Sequence, residues 1–222
     1  MKGKLIVLYG INNLGKSTQA RLLVSRLRHQ GLPAHYLKYG LLYIEPSGVM
    51  INDYLRVGNP FGLTEREFQI IHTLNRTQYD AILRQRLEAG EWIVAEDYVG
   101  TGLAWGMGAG VDRMFLERLN NHLCPEDLVF LFEGERFLQA KEPGHKHESD
   151  DELMTSVARA HKEIGTSRGW LPINANGTIE AIGEEIWRYV VGRFNLQPPL
   201  LQNILPFDAS DAHKPEKYNL EP

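Results

Sequence analysis

The chain has a single cysteine, Cys124, in 222 residues. One thiol excludes an internal disulfide and a thiolate-rich metal centre, and it fits a reducing compartment, so the cytoplasm is the expected location. Long apolar runs are also missing: no stretch approaches the roughly 20 consecutive apolar residues of a membrane-spanning helix, so no membrane association is expected. The opening MKGKLIVLYGINN is basic and then apolar, but its apolar run is shorter than most secretion-signal cores and passes straight into a loop. It reads as a buried strand. An excess of one charge sign is absent too. With 24 Lys and Arg against 28 Asp and Glu the net charge is -4, which supplies no global field for a nucleic acid polymer, whose binding rests on many neutralised phosphates. Internal repeats and low-complexity tracts are lacking, and the length suits one well-buried core.

What the chain does contain is short apolar runs alternating with helical periodicity. Leu5 to Tyr9 is continuously apolar, the pattern of a strand covered on both faces. Ala20, Leu23, Val24 and Leu27 then recur at helical spacing until Gly31-Leu32-Pro33 ends the helix. Ala34 to Tyr39 returns as a second strand, and Val49 to Val57 forms a short helix. Thr64 with Glu67 three residues on is a capping box that opens a long helix ending near Gly90. Residues 92 to 95, WIVA, make a third strand that ends in the acidic pair Glu96-Asp97. Thr101 to His122 is mostly helical, with a break or close packing at GMGAG. DLVFLFEG at 127 to 134 and WLPINA at 170 to 175 are the fourth and fifth strands, separated by a helix over Leu153 to Ile164. Thr178 starts the last helix. Five strands alternating with helices predict an α/β fold with an open, mostly parallel sheet flanked by helices. One domain is expected over 1–195, with a charged lid segment at about 136–150. The proline-rich 196–222 reads as an extended or partly disordered arm.

Gly10-Ile11-Asn12-Asn13-Leu14-Gly15-Lys16-Ser17 matches G-x-x-x-x-G-K-[ST] and lies between a buried strand and an amphipathic helix, which is the context a phosphate-binding loop requires. The chain is therefore expected to have the P-loop NTPase fold. The glycines let backbone N–H groups of Asn12, Asn13, Leu14, Gly15 and Thr18 curl around phosphate oxygens at a helix N-terminus. Lys16 is placed to reach the terminal phosphates, and the Ser17 hydroxyl to ligate magnesium. ATP and Mg2+ are the expected cofactors.

Several later segments narrow the reading. GKSTQARLLVSRL, LKYG, LNRTQ, EDYVGTGLAWG, GHKHES and INANGTIEAIGEEIW, in that order, resemble thymidylate kinases over about residues 4 to 193. The resemblance implies a five-stranded parallel sheet, transfer of the terminal phosphoryl group of ATP to dTMP or a related deoxynucleotide acceptor, and a homodimer. It places Arg76 and Lys38 on the acceptor, Asn12 near its sugar, and Phe68, His72 and Tyr98 around its base. A competing reading of Arg76 is an i, i+4 pair with Asp80. Glu96 or Asp97 is implied as the strand-end acid that holds magnesium; the alternative is a pair of acids capping the next helix.

Three positions depart from the family pattern. Asn12 stands where the family has an acid, Asp97 replaces the arginine of Asp-Arg-Tyr, and Gly106 replaces a glutamine. The second is a charge reversal at a point where phosphoryl transfer needs positive charge. The replacement is sought among Arg136, Lys141, His145, Lys146 and His147, with Lys141 or Lys146 preferred; His145 and His147 lack a third ligand for a metal. Two other readings stay open: a kinase of the same architecture acting on a nucleoside or modified deoxypyrimidine nucleotide, with Glu96 as general base, and a nucleotide-binding module without turnover.

Overall fold

The computed structural model describes residues 2–137 and 151–196. Of the expected lid only Arg136 and Phe137 are described, and of the expected arm only Leu196; Lys141, His145, Lys146 and His147 lie outside the described residues.

Five strands, β1 (Leu5–Tyr9), β2 (Ala34–Lys38), β3 (Trp92–Glu96), β4 (Leu128–Glu133) and β5 (Leu171–Asn174), form one sheet in the order β2-β3-β1-β4-β5. Every pairing is parallel, with Val7 opposite Ala95 on one side and Val129 on the other. Residues of β1 alternate between two cores because side chains on a strand point to opposite faces. Leu5, Val7 and Tyr9 pack into one core with residues of the third, fourth and sixth helices; Ile6 and Leu8 pack into the other with residues of the first and last. The expectation of a strand buried on both faces holds, since all five residues of β1 are fully buried.

The helices are α1 (Lys16–His29), α2 (Ser47–Arg56), α3 (Glu65–Glu88), α4 (Val99–Gly108), α5 (Arg113–Asn120), α6 (Asp151–Arg168) and α7 (Ile179–Phe194). Thr64 and Glu67 make the reciprocal capping box: Thr64 Oγ1 accepts from Glu67 N, and Glu67 accepts from Thr64 N. Thr178 caps α7 through Ala181 N. The break expected at GMGAG falls between α4 and α5, where Asp112 caps the new helix through Phe115 N at 2.8 Å. The fourth helix begins at Val99, two residues before the expected Thr101, because Asp97 turns the chain with φ of 62°. Among the described residues no helix is long and apolar enough to cross a membrane.

This topology puts the carboxyl ends of β1 and β3, the N-terminus of α1 and the N-terminal half of α3 around one crevice. Ligands of open parallel sheets bind in this position.

Candidate active site

The loop after β1 curls because Gly10, Asn13 and Gly15 all take positive φ, at 134°, 64° and 76°. Residues 12 to 18 line a cavity of about 1040 Å³. Lys16 is 6% exposed, and its Nζ donates to the carbonyls of Gly10 and Ile11 at 3.0 and 2.9 Å. Its ammonium also lies 3.7 Å from Asp97 Oδ1. A cation buried at a helix N-terminus beside curled backbone is built for a multiply charged anion.

The acidic pair, equivalent in sequence, divides in space. Glu96 is buried and accepts from Ser17 Oγ at 2.8 Å and from the Tyr36 hydroxyl, with Lys38 Nζ at 3.2 Å. Burial pushes its pKa up, but Lys38, Lys16 and these hydrogen bonds outweigh that and hold it below the ordinary carboxylate value. Asp97 faces Lys16 and accepts from Thr101 Oγ1 at 3.3 Å. Burial raises its pKa, Lys16 opposes and Glu96 adds to the rise. Neither acid caps α4, whose N-cap residue Tyr98 makes no side-chain cap. The donors fit magnesium: an ionised carboxylate and a hydroxyl already touch at the mouth of the loop, both hard oxygens. Ser17 and Glu96 would hold the ion; Asp97 is turned toward the lysine. Among the described residues there is no cluster of three or more His, Cys, Asp or Glu side chains to offer another metal site.

Beyond the phosphate loop the cavity runs along α3. Arg76 is 2% exposed, and its Nη1 donates to Asn120 Oδ1 at 3.2 Å. Among the described residues no carboxylate forms an ion pair with it: Asp80 bonds Arg84 Nε at 2.6 Å and Cys124 N at 2.8 Å instead. The i, i+4 reading of Arg76 is thereby excluded. Its Nε has no hydrogen-bond partner among the described residues, and burial lowers its pKa, though a guanidinium stays charged. A Cβ at residue 102 would sit 2.5 Å from Arg76 Nη2, so only glycine there lets the guanidinium lie against α4.

The expected base pocket is partly corrected. Phe68 lines the cavity but is stacked on Tyr54, with centroids 3.6 Å apart, and is 1% exposed. His72 packs edge-on to Phe68 at 4.6 Å and is partly exposed on the same wall. Tyr98 does not line the cavity: its hydroxyl donates to Cys124 O at 3.1 Å and its ring packs on Tyr39 at 4.8 Å. A strand-end residue following an αL aspartate is turned inward, which no pattern of residue types reveals. Asn12 and Lys38 both line the cavity.

The lining residues that sequence reasoning missed include Arg21, whose guanidinium lies 4.5 Å over the Tyr36 ring, Arg56 at the end of α2, Gln69 and Trp105. Gln69 carried a usable signal, because it lies seven residues before Arg76 and therefore on the same helical face. Arg21 carried none, since a charge off the apolar stripe looks the same when solvated.

A family model described as thymidylate kinase matches residues 8–186. A thymidylate kinase of Prochlorococcus marinus strain MIT 9303 is 29% identical over 202 residues, covering 84% of this chain and 93% of that protein. Another, from Dictyostelium discoideum, is 27% identical over 188 residues, covering 83% of each. A solved thymidylate kinase structure from Candida albicans shares the fold, with a TM-score of 0.73 at 21% identity over 88% of this chain and 94% of that one. With a phosphate loop, a strand-end acid on its serine and a buried arginine opening on one crevice, and with the family model spanning most of its length, the chain belongs to the thymidylate kinase family.

Proposed function

We propose that this chain is a nucleoside monophosphate kinase that transfers the γ-phosphoryl group of ATP to dTMP or a closely related pyrimidine deoxynucleotide. One observation carries the reading: the phosphate loop and the buried guanidinium of Arg76, hydrogen-bonded to a neutral amide, open onto the same cavity of about 1040 Å³. That volume is at the upper end of ordinary ligand clefts, about 300–1,000 Å³, as two nucleotides placed end to end require.

In this mechanism the backbone amides of residues 12 to 17 and the ammonium of Lys16 bind the donor phosphates. Lys16 exchanges its two carbonyl acceptors for phosphate oxygens. Ser17 and Glu96 hold magnesium, which when bound neutralises charge on the donor phosphates. Glu96 stays ionised because Lys38, Tyr36 and Ser17 all favour its charged form. Arg76 anchors the acceptor through its guanidinium, with Lys38 at the acceptor phosphate and Asn12 near the acceptor sugar. Catalysis is then mostly positioning and charge neutralisation. Lys141 or Lys146 is proposed as the cation that offsets Asp97. We further propose a homodimer, supported by Ile70, Leu74 and Ile82, which are 41%, 40% and 44% exposed on the outer side of α3.

A second reading, phosphorylation of a nucleoside hydroxyl, is favoured by Asp97: a cavity-wall carboxyl with a raised pKa suits a general base better than Glu96, whose oxygens are already committed. A panel of nucleosides and nucleoside monophosphates with Mg-ATP, followed by ADP release, separates the readings. Preference for dTMP supports the first and preference for an unphosphorylated nucleoside supports the second. ATP binding without turnover of any acceptor would leave a nucleotide-binding module.

A further inference from the structure

Lys38 and Glu96 face one another across the last rung between β2 and β3, where the parallel register pairs their Cα positions. Lys38 Nζ lies 3.2 Å from Glu96 Oε1, and the two side chains differ sharply in burial: the acid is 1% exposed and the lysine 55%. The same oxygen accepts from Ser17 Oγ at 2.8 Å and from the Tyr36 hydroxyl. Those two hydroxyls fix the carboxylate in place without changing its charge. Lys38 brings a full positive charge to it.

The backbone that carries Lys38 is pinned. Tyr39 N donates to Glu96 O at 3.0 Å, and the Asn75 amide takes both polar groups of Leu41, accepting from its N at 2.8 Å and donating to its O at 2.9 Å. Asn75 immediately precedes Arg76 on α3, so this segment runs from the strand-end acid to the guanidinium of the acceptor end. The Lys38 side chain, by contrast, is a flexible four-carbon stem whose half-exposed head lines the cavity. An ammonium this close to a carboxylate is repelled by any divalent cation that the carboxylate takes on. It also cannot give its full charge to Glu96 and to a phosphate at once.

We infer that Lys38 is a shared cation, which pairs with Glu96 until that carboxylate holds magnesium and then turns to the phosphate of the acceptor, so that metal and acceptor bind with positive coupling. The pinned backbone keeps the ammonium within reach of both anions, and the flexible stem lets it change partner. The inference rests on the monophosphate-kinase reading and adds to it a link between the metal end and the acceptor end of one cavity.

The test measures dTMP affinity by calorimetry in the full-length chain, with a non-hydrolysable ATP analogue supplied either with magnesium or with a chelator, and thermal unfolding as the control on folding. In the unaltered chain magnesium should tighten dTMP binding about tenfold. Lys38→Met should weaken dTMP binding and abolish most of that magnesium effect. Glu96→Gln keeps an acceptor for Ser17 and Tyr36 but carries no charge, so by itself it should tighten dTMP binding about tenfold in the chelator. That gain should disappear when Glu96→Gln is made in the Lys38→Met background. An equal gain in both backgrounds would mean that Glu96 repels the acceptor directly, and a magnesium effect that survives Lys38→Met would mean that the coupling runs through another group. Either result overturns the inference, as does a folded Glu96→Gln variant that binds dTMP no more tightly than the unaltered chain. Failure of the unaltered chain to bind any nucleoside monophosphate under either condition would instead overturn the functional reading, and the inference with it.

Discussion

At residue scale Asp97 is the most unusual choice in the site. It combines a left-handed backbone, with φ of 62°, a mostly buried carboxyl and a position beside Lys16. Asparagine tolerates that backbone at least as well and carries no charge. Because burial raises the folded pKa of Asp97 above the ordinary 3.8, folding favours the protonated acid. Stability linked to this group is full below 3.8 and is lost as pH rises through the raised folded value. Asp97→Asn should therefore stabilise the protein at neutral pH. The advantage should vanish in acid, which urea unfolding at a series of pH values would check. Freed of a competing carboxylate, Lys16 should also bind ATP more tightly.

Arg76 shows the reverse trade. Its charge is buried with neutral partners, so Arg76→Met should leave stability unchanged or raise it by about 1–2 kcal/mol. Asn120 Oδ1 stays satisfied, since Thr73 Oγ1 also reaches it at 3.2 Å. Acceptor kcat/KM should fall at least about a hundredfold, the scale of a lost charge-assisted contact. Thermal unfolding and steady-state kinetics on the same sample measure both effects. The place of Arg76 on the cavity was legible in the sequence, but its separation from Asp80 was not, because i, i+4 spacing permits a pair without requiring one.

At the scale of elements, α3 matters most, since it carries Phe68, Gln69, His72 and Arg76 along one side. Its start was readable from Thr64 and Glu67, because a capping box is a local hydrogen-bond exchange between residues three apart. Thr64→Ala should cost about 1 kcal/mol in urea unfolding. It should also loosen the first turn, raising the acceptor KM with little change for ATP, because Gln69, on the cavity wall, lies only a turn further on. The onset of α4 was not readable in the same way. Tyr98 provides no capping side chain, and the turn is made by a positive-φ aspartate where sequence reasoning looks for glycine.

At the scale of the whole molecule, Ile70, Leu74 and Ile82 face solvent on a helix whose other side is fully engaged. If this face joins two copies, Leu74→Glu should convert a dimer to a monomer in sedimentation at micromolar concentration, with the circular dichroism spectrum unchanged. An unaltered chain that sediments as a monomer would remove the homodimer.

The order of strands and helices and the phosphate loop follow from the sequence alone. They depend on periodicity, caps and glycines acting within a few residues of one another, and those interactions are written in the chain. Packing between distant segments decided the rest. It put Glu96 rather than Asp97 on Ser17, drew Tyr98 into the core beside Tyr39, and let Gln69 occupy the room left by Gly106. Such outcomes depend on which surfaces meet and how much volume lies between them, and residue spacing carries no record of either.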